Sequence, residues 1–127
     1  METVQTDDWK KEKHVPVLDC PDKVNAGEFF NIRVTLGKEI SHPNTTEHHI
    51  RWVTLYYLPF GDKFTCEVGH FEFNAHGESI EGPNKGLIFT NHDVTVSIKV
   101  LKQGTIYALS YCNIHGLRMS SKEISII

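Results

Sequence analysis

No window of this chain carries the three-to-four-residue apolar period of an amphipathic helix, and that absence argues against a helical fold. A basic excess is also missing. The formal net charge is −3, which leaves no general electrostatic face for nucleic acid. No apolar run approaches the roughly 20 residues needed to cross a bilayer, and the polar start Met1-Glu2-Thr3-Val4-Gln5-Thr6-Asp7-Asp8 is not a signal peptide. The chain is therefore expected in the cytoplasm. Cysteine is scarce: Cys20, Cys66 and Cys112 are odd in number and far apart, which excludes a disulfide framework and agrees with a reducing compartment. With 127 residues there is room for one domain, 1–127, around one core.

What is present is a succession of short alternating runs. Residues 1–13 form a polar arm with Trp9 as its one large apolar anchor, and His14 to Leu18 reads as a first strand, consigned to a sheet edge by Pro16. Asp19-Cys20-Pro21-Asp22 turns the chain. Phe30, Ile32, Val34 and Leu36 alternate with Asn31, Arg33 and Thr35, the period of a strand with one wet face. Ile50 to Leu58 is apolar on both faces, as a central strand requires. Further strands are predicted over Lys63 to Phe73, with a bulge at Gly69, over Val94 to Val100, over Ile106 to Tyr111 and over Lys122 to Ile127. The Gly- and Asn-rich segment 74–91 is a long connection with one short strand near Leu87 to Phe89. These features predict an all-β fold, an immunoglobulin-like antiparallel β-sandwich of about seven strands, with a small barrel as the alternative.

Chemistry concentrates in two turns. Ser41-His42-Pro43-Asn44-Thr45-Thr46-Glu47-His48-His49 sets three histidines between two alternating runs, and Tyr111-Cys112-Asn113-Ile114-His115-Gly116 carries a Cys-x-x-His at the exit of another. A thiolate and imidazoles held on tight turns make a soft-ligand metal site. Gly116 is expected to let the backbone fold closely around it. His70, His76 and His92 read as ordinary polar residues, Glu47 as an exposed turn carboxylate or a partner for a ligand imidazole, and Cys20 and Cys66 as small buried or half-buried residues.

Glu12-Lys13-His14, the stretch from His42 to His49, Cys112-Asn113-Ile114-His115-Gly116 and the closing Ser121-Lys122-Glu123-Ile124 together resemble superoxide reductases of the one-iron, neelaredoxin type, in the desulfoferrodoxin family. The resemblance implies one iron ion held by His14, His42, His48 and His115 in a plane, with the Cys112 thiolate below it. It implies Nδ1 as the donor of His115 and Nε2 for the others. Glu12 would be a sixth ligand in the oxidised state, and Lys13 would attract the superoxide anion. It further implies one-electron reduction of superoxide to hydrogen peroxide, an external rubredoxin-like electron donor and a homotetramer. The extra four-cysteine domain of two-iron relatives is not expected, because no cysteine precedes Cys20. Cys20 and Leu117-Arg118-Met119 depart from the family's usual pattern. Two rival readings are a blue-copper carrier using Cys112, His115 and Met119, and a binding module with a closed structural zinc site.

Overall fold

The computed structural model describes residues 15–37 and 40–127; Trp9, Glu12, Lys13 and His14 lie outside them. Among the described residues eight strands form two sheets. The smaller has the order β1 (Pro16–Asp19), β3 (Phe30–Leu36), β6 (Asp93–Ile98). The larger has the order β2 (Lys23–Val24), β8 (Gly116–Ile126), β7 (Gly104–Cys112), β4 (Ile50–Pro59), β5 (Cys66–Glu72). This is the predicted sandwich, with one strand more than about seven. The addition is β2, two residues paired in parallel with β8, too short to leave any periodic signal.

The core follows from alternation. Ile32, Val34 and Leu36 of β3 are buried while Asn31 and Arg33, which alternate with them, are exposed. They pack into one cluster with Val53, Leu55 and Tyr57 of β4, Ile106 and Ala108 of β7 and Ile124 of β8. Each Val, Leu or Ile side chain among them contributes about 1.5–3 kcal/mol through removal from water. Strand β4 lies between β7 and β5, as expected for a run that is apolar on both faces. Strand β1 lies at an edge, where the missing amide hydrogen of Pro16 costs no ladder bond. The expected bulge appears beside Gly69: Leu55 pairs with Gly69 and Tyr56 with Glu67, leaving Val68 over.

Three expectations require correction. Strand β8 begins at Gly116 rather than Lys122, because polar Arg118, Ser120 and Ser121 pair residue by residue with β7 although they lack apolar alternation. Leu87 to Phe89 is not a strand; one bridge, His76 to Phe89, is all that forms there. Cys66 is exposed at the first position of an edge strand, not buried. The arrangement that matters for function is the passage between layers. The chain leaves the small sheet at Leu36 and enters the large one at Ile50, so the histidine turn spans the end of the sandwich, beside the β7–β8 hairpin.

Candidate metal centre

The Cys-x-x-His turn is a hairpin. Cys112 pairs with Gly116, and Asn113, Ile114 and His115 form the loop between them. The residue that takes the chain from this loop into β8 has positive φ: Gly116, at +77°. A Cβ built on Gly116 would meet nothing within 4 Å, so the glycine serves the backbone angle and not a close approach. Opposite Cys112 the β4–β7 register slips between Ile50 and Trp52, a bulge that re-aims the first residues of β4 beside the site.

The histidine turn folds around Thr45. Its hydroxyl accepts from the His48 amide (3.0 Å) and donates to the His48 carbonyl (3.1 Å), and its own amide donates to the same carbonyl (2.9 Å). His49 Nδ1 donates to the Thr45 carbonyl (2.9 Å). Asn113 joins the two turns. Its Oδ1 accepts from the His49 amide (2.9 Å), its Nδ2 donates to the Glu47 carbonyl (2.9 Å) and its amide donates to the His49 carbonyl (3.2 Å).

This frame brings one donor atom each from His42, His48 and Cys112 within 4.8 Å of one another. His115 stands beside that group. Its ring centroid is 5.0 Å from that of His48, and its Nδ1 is 3.7 Å from Cys112 Sγ. Cys112 and His42 are buried, at 1% and 4% exposure, whereas His115 is exposed, so the cluster is closed on the core side and open toward His115. The residues fit a metal ion by their chemistry. His42 Nδ1 faces the Pro43 carbonyl at 2.7 Å and must carry the hydrogen, which leaves the lone pair on its buried Nε2. The His115 amide points at Cys112 Sγ (3.4 Å), a donor suited to a thiolate.

The copper alternative does not survive the strand register. Met119 pairs with Leu109, three positions from Cys112 on β7, so its side chain projects from the opposite face of the sheet. Met119 cannot reach a site built on Cys112.

Several residues around the cluster gave no distinctive sequence signal. His76, taken for an ordinary polar residue, is buried and stacks on His49, with centroids 3.5 Å apart and planes within 6°. Its Nε2 donates to the Phe73 carbonyl (2.5 Å), and burial pushes its pKa down. His92 is buried edge-on to His42 at 5.8 Å, and burial lowers its pKa as well. Segment 74–91 clasps the turn from outside. Thr46 Oγ1 donates to the His76 carbonyl (2.6 Å), and Asn84 Oδ1 accepts from the Thr46 amide (2.9 Å). Asn84 Nδ2 donates to Glu47 Oε1 (2.7 Å), which places that carboxylate on Asn84. Asn84 itself has φ +63°, a conformation Asn tolerates. His70 remains outside the cluster, bonded to Thr54 (2.6 Å).

Comparisons with known proteins point to one family. The desulfoferrodoxin family model matches residues 6–121. A neelaredoxin of Megalodesulfovibrio gigas is 58% identical over 122 residues, covering 96% of this chain and 94% of its own. A superoxide reductase of Pyrococcus furiosus is 53% identical, covering 91% of each chain. Among solved structures, a putative superoxide reductase of Thermotoga maritima superposes with a TM-score of 0.95 at 56% identity, covering 98% of this chain and 94% of that one. The chain belongs to the desulfoferrodoxin family.

Proposed function

We infer that this chain is a superoxide reductase working through a single non-haem iron. The observation that carries the reading is the buried meeting of one thiolate with imidazoles, Cys112 with His42 and His48, in a family whose named members reduce superoxide. We assign His42, His48, Cys112 and His115 as ligands, joined by His14, with Glu12 and Lys13 acting beside them. When bound, the iron supplies the electron and the Lewis acidity for converting superoxide and two protons into hydrogen peroxide.

The protein's own contribution can be derived from the described residues. Pro43 fixes the tautomer of His42, so the lone pair is aimed before any ion arrives. Burial keeps water from the Cys112 sulfur, and the His115 amide steadies its negative charge. Exposure on the His115 side leaves a small anion a path inward. With a net charge of −3, attraction of superoxide must be local, and Lys13 is assigned that task. The reading includes a rubredoxin-like donor, a homotetramer and a cytoplasmic setting. Among the described residues no helix is long and apolar enough to cross a membrane. The outer face of the large sheet, where Trp52 stacks on Tyr111 at 5.8 Å, offers apolar area for assembly.

The test is metal analysis followed by superoxide stoichiometry. Stoichiometric iron, a thiolate charge-transfer band absent in Cys112→Ser, and one peroxide per superoxide without dioxygen are expected. Zinc with no visible band, or dioxygen evolved with half as much peroxide, would overturn the reading. Lys13→Ala should slow the bimolecular step and flatten its salt dependence.

A further inference from the structure

Arg118 lies at the rim of the cluster, and the mechanism above gives it no task. On the β7–β8 ladder it pairs with Ser110, two positions from Cys112, so it springs from the sheet face that carries the thiolate. Its neighbours on that face reach across to β1: Ser120 Oγ donates to the Pro16 carbonyl (2.6 Å), and Lys122 Nζ binds the Cys20 carbonyl. Arg118 instead turns back to the hairpin. Its Nη1 donates to the His115 carbonyl (3.1 Å) and to the Leu117 carbonyl (3.2 Å). Half-buried and tied at both bonds, the guanidinium is a fixed charge and not a roaming surface one. It is anchored to the residue that forms the open side of the site.

We propose that Arg118 is a specificity-determining residue, a fixed cation at the rim that favours an anionic over a neutral ligand at the metal centre. The proposal rests on the superoxide reading for the identity of the natural anion, but its geometry does not. In a chain of net charge −3, a cation held by the main chain of His115 adds a local positive contribution where the site opens, beside the one assigned to Lys13.

The iron-loaded protein is compared with Arg118→Lys, Arg118→Gln and Arg118→Glu by spectroscopic titration with azide, an anion, and with nitric oxide, a neutral ligand. At low salt Arg118→Gln is expected to weaken azide about tenfold, the effect of one unit charge across roughly 10 Å at an effective dielectric constant of about 20, and Arg118→Glu more. Nitric oxide affinity should stay the same in all four proteins, and Arg118→Lys should retain most of the azide affinity. The azide difference should shrink as salt rises to about 0.5 M. A loss shared equally by azide and nitric oxide would show a merely structural clamp, and unchanged azide binding would show no role at the rim; either result overturns the proposal. Failure of the loaded protein to consume superoxide would instead sink the function proposed above and leave the azide comparison readable.

Discussion

Replacing Asn113 with alanine tests whether the two turns form one unit. The substitution removes the acceptor for the His49 amide and the donor to the Glu47 carbonyl, while the Asn113 main-chain bond to His49 survives. The two losses differ in weight. The His49 residue is buried, so its amide is left without compensation, at a cost of about 1–3 kcal/mol. Glu47 is exposed and water replaces the lost donor, so that bond accounts for about 0.5 kcal/mol. Together they amount to about 2 kcal/mol. At about 2.1 cal/mol/K of unfolding entropy per residue, 127 residues convert that figure to a fall of about 7 °C in melting temperature. Calorimetry and urea unfolding of the metal-free protein measure it. Iron retention against a chelator should fall about tenfold or more, the usual consequence of loosening the groups that orient ligands. Asn113→Asp separates the contributions: it keeps an acceptor for the His49 amide and places an oxygen against the Glu47 carbonyl, so it should be the milder change. A metal-free Asn113→Ala protein within about 0.5 kcal/mol of the parent, or an aspartate variant as damaged as the alanine one, would refute the reasoning.

Other expected outcomes follow from the same frame. Gly37→Ala should lower both stability and iron content, because φ there is +83° and the added Cβ would lie 2.4 Å from the His42 amide nitrogen; normal iron loading would contradict this. The His76 pKa is lowered by burial, so as pH falls below about 6.5 the unfolded chain takes up the proton first. Stability from this group is complete above about pH 6.5 and is lost as pH drops toward the folded value. The urea midpoint of the metal-free protein should therefore decline between pH 7 and pH 5.5, and decline less in His76→Gln; equal declines would absolve His76. Met119→Leu should leave metal content and spectrum unchanged, since the side chain projects away from Cys112; a spectral shift would reopen the copper reading.

The architecture was readable where one face of a strand is wet and the other dry. Ile32, Val34 and Leu36 report their strand directly because burial alone selects them. Strand β8 escaped notice over Gly116 to Ser121, where its register comes from the β7 hairpin and not from an apolar stripe. Pairing partners distant in the chain also hid β2, whose two residues depend on Ser125 and Ile126.

The centre divides along the same line. Cys112, His42 and His48 were visible because a metal needs those atom types and the spacing is short, while the arm with Glu12, Lys13 and His14 lies outside the described residues. What the sequence concealed is the support. Asn113, Thr46, Asn84 and His76 hold the ligand-bearing turns through bonds that span up to 66 residues, and an Asn or Thr with that duty looks like any other turn residue. The His49–His76 stack makes the point sharply. A histidine next to a ligand and another in a Gly-rich connection carry no shared motif, yet their rings meet at 3.5 Å and lock segment 74–91 against the turn. A site whose ligands sit on turns must take its rigidity from such contacts, since turns lack the ladder that fixes a strand. Substitutions at these supporting residues should therefore loosen the metal before they unfold the sandwich, the reverse of what a change at Leu55 or Ile106 would do.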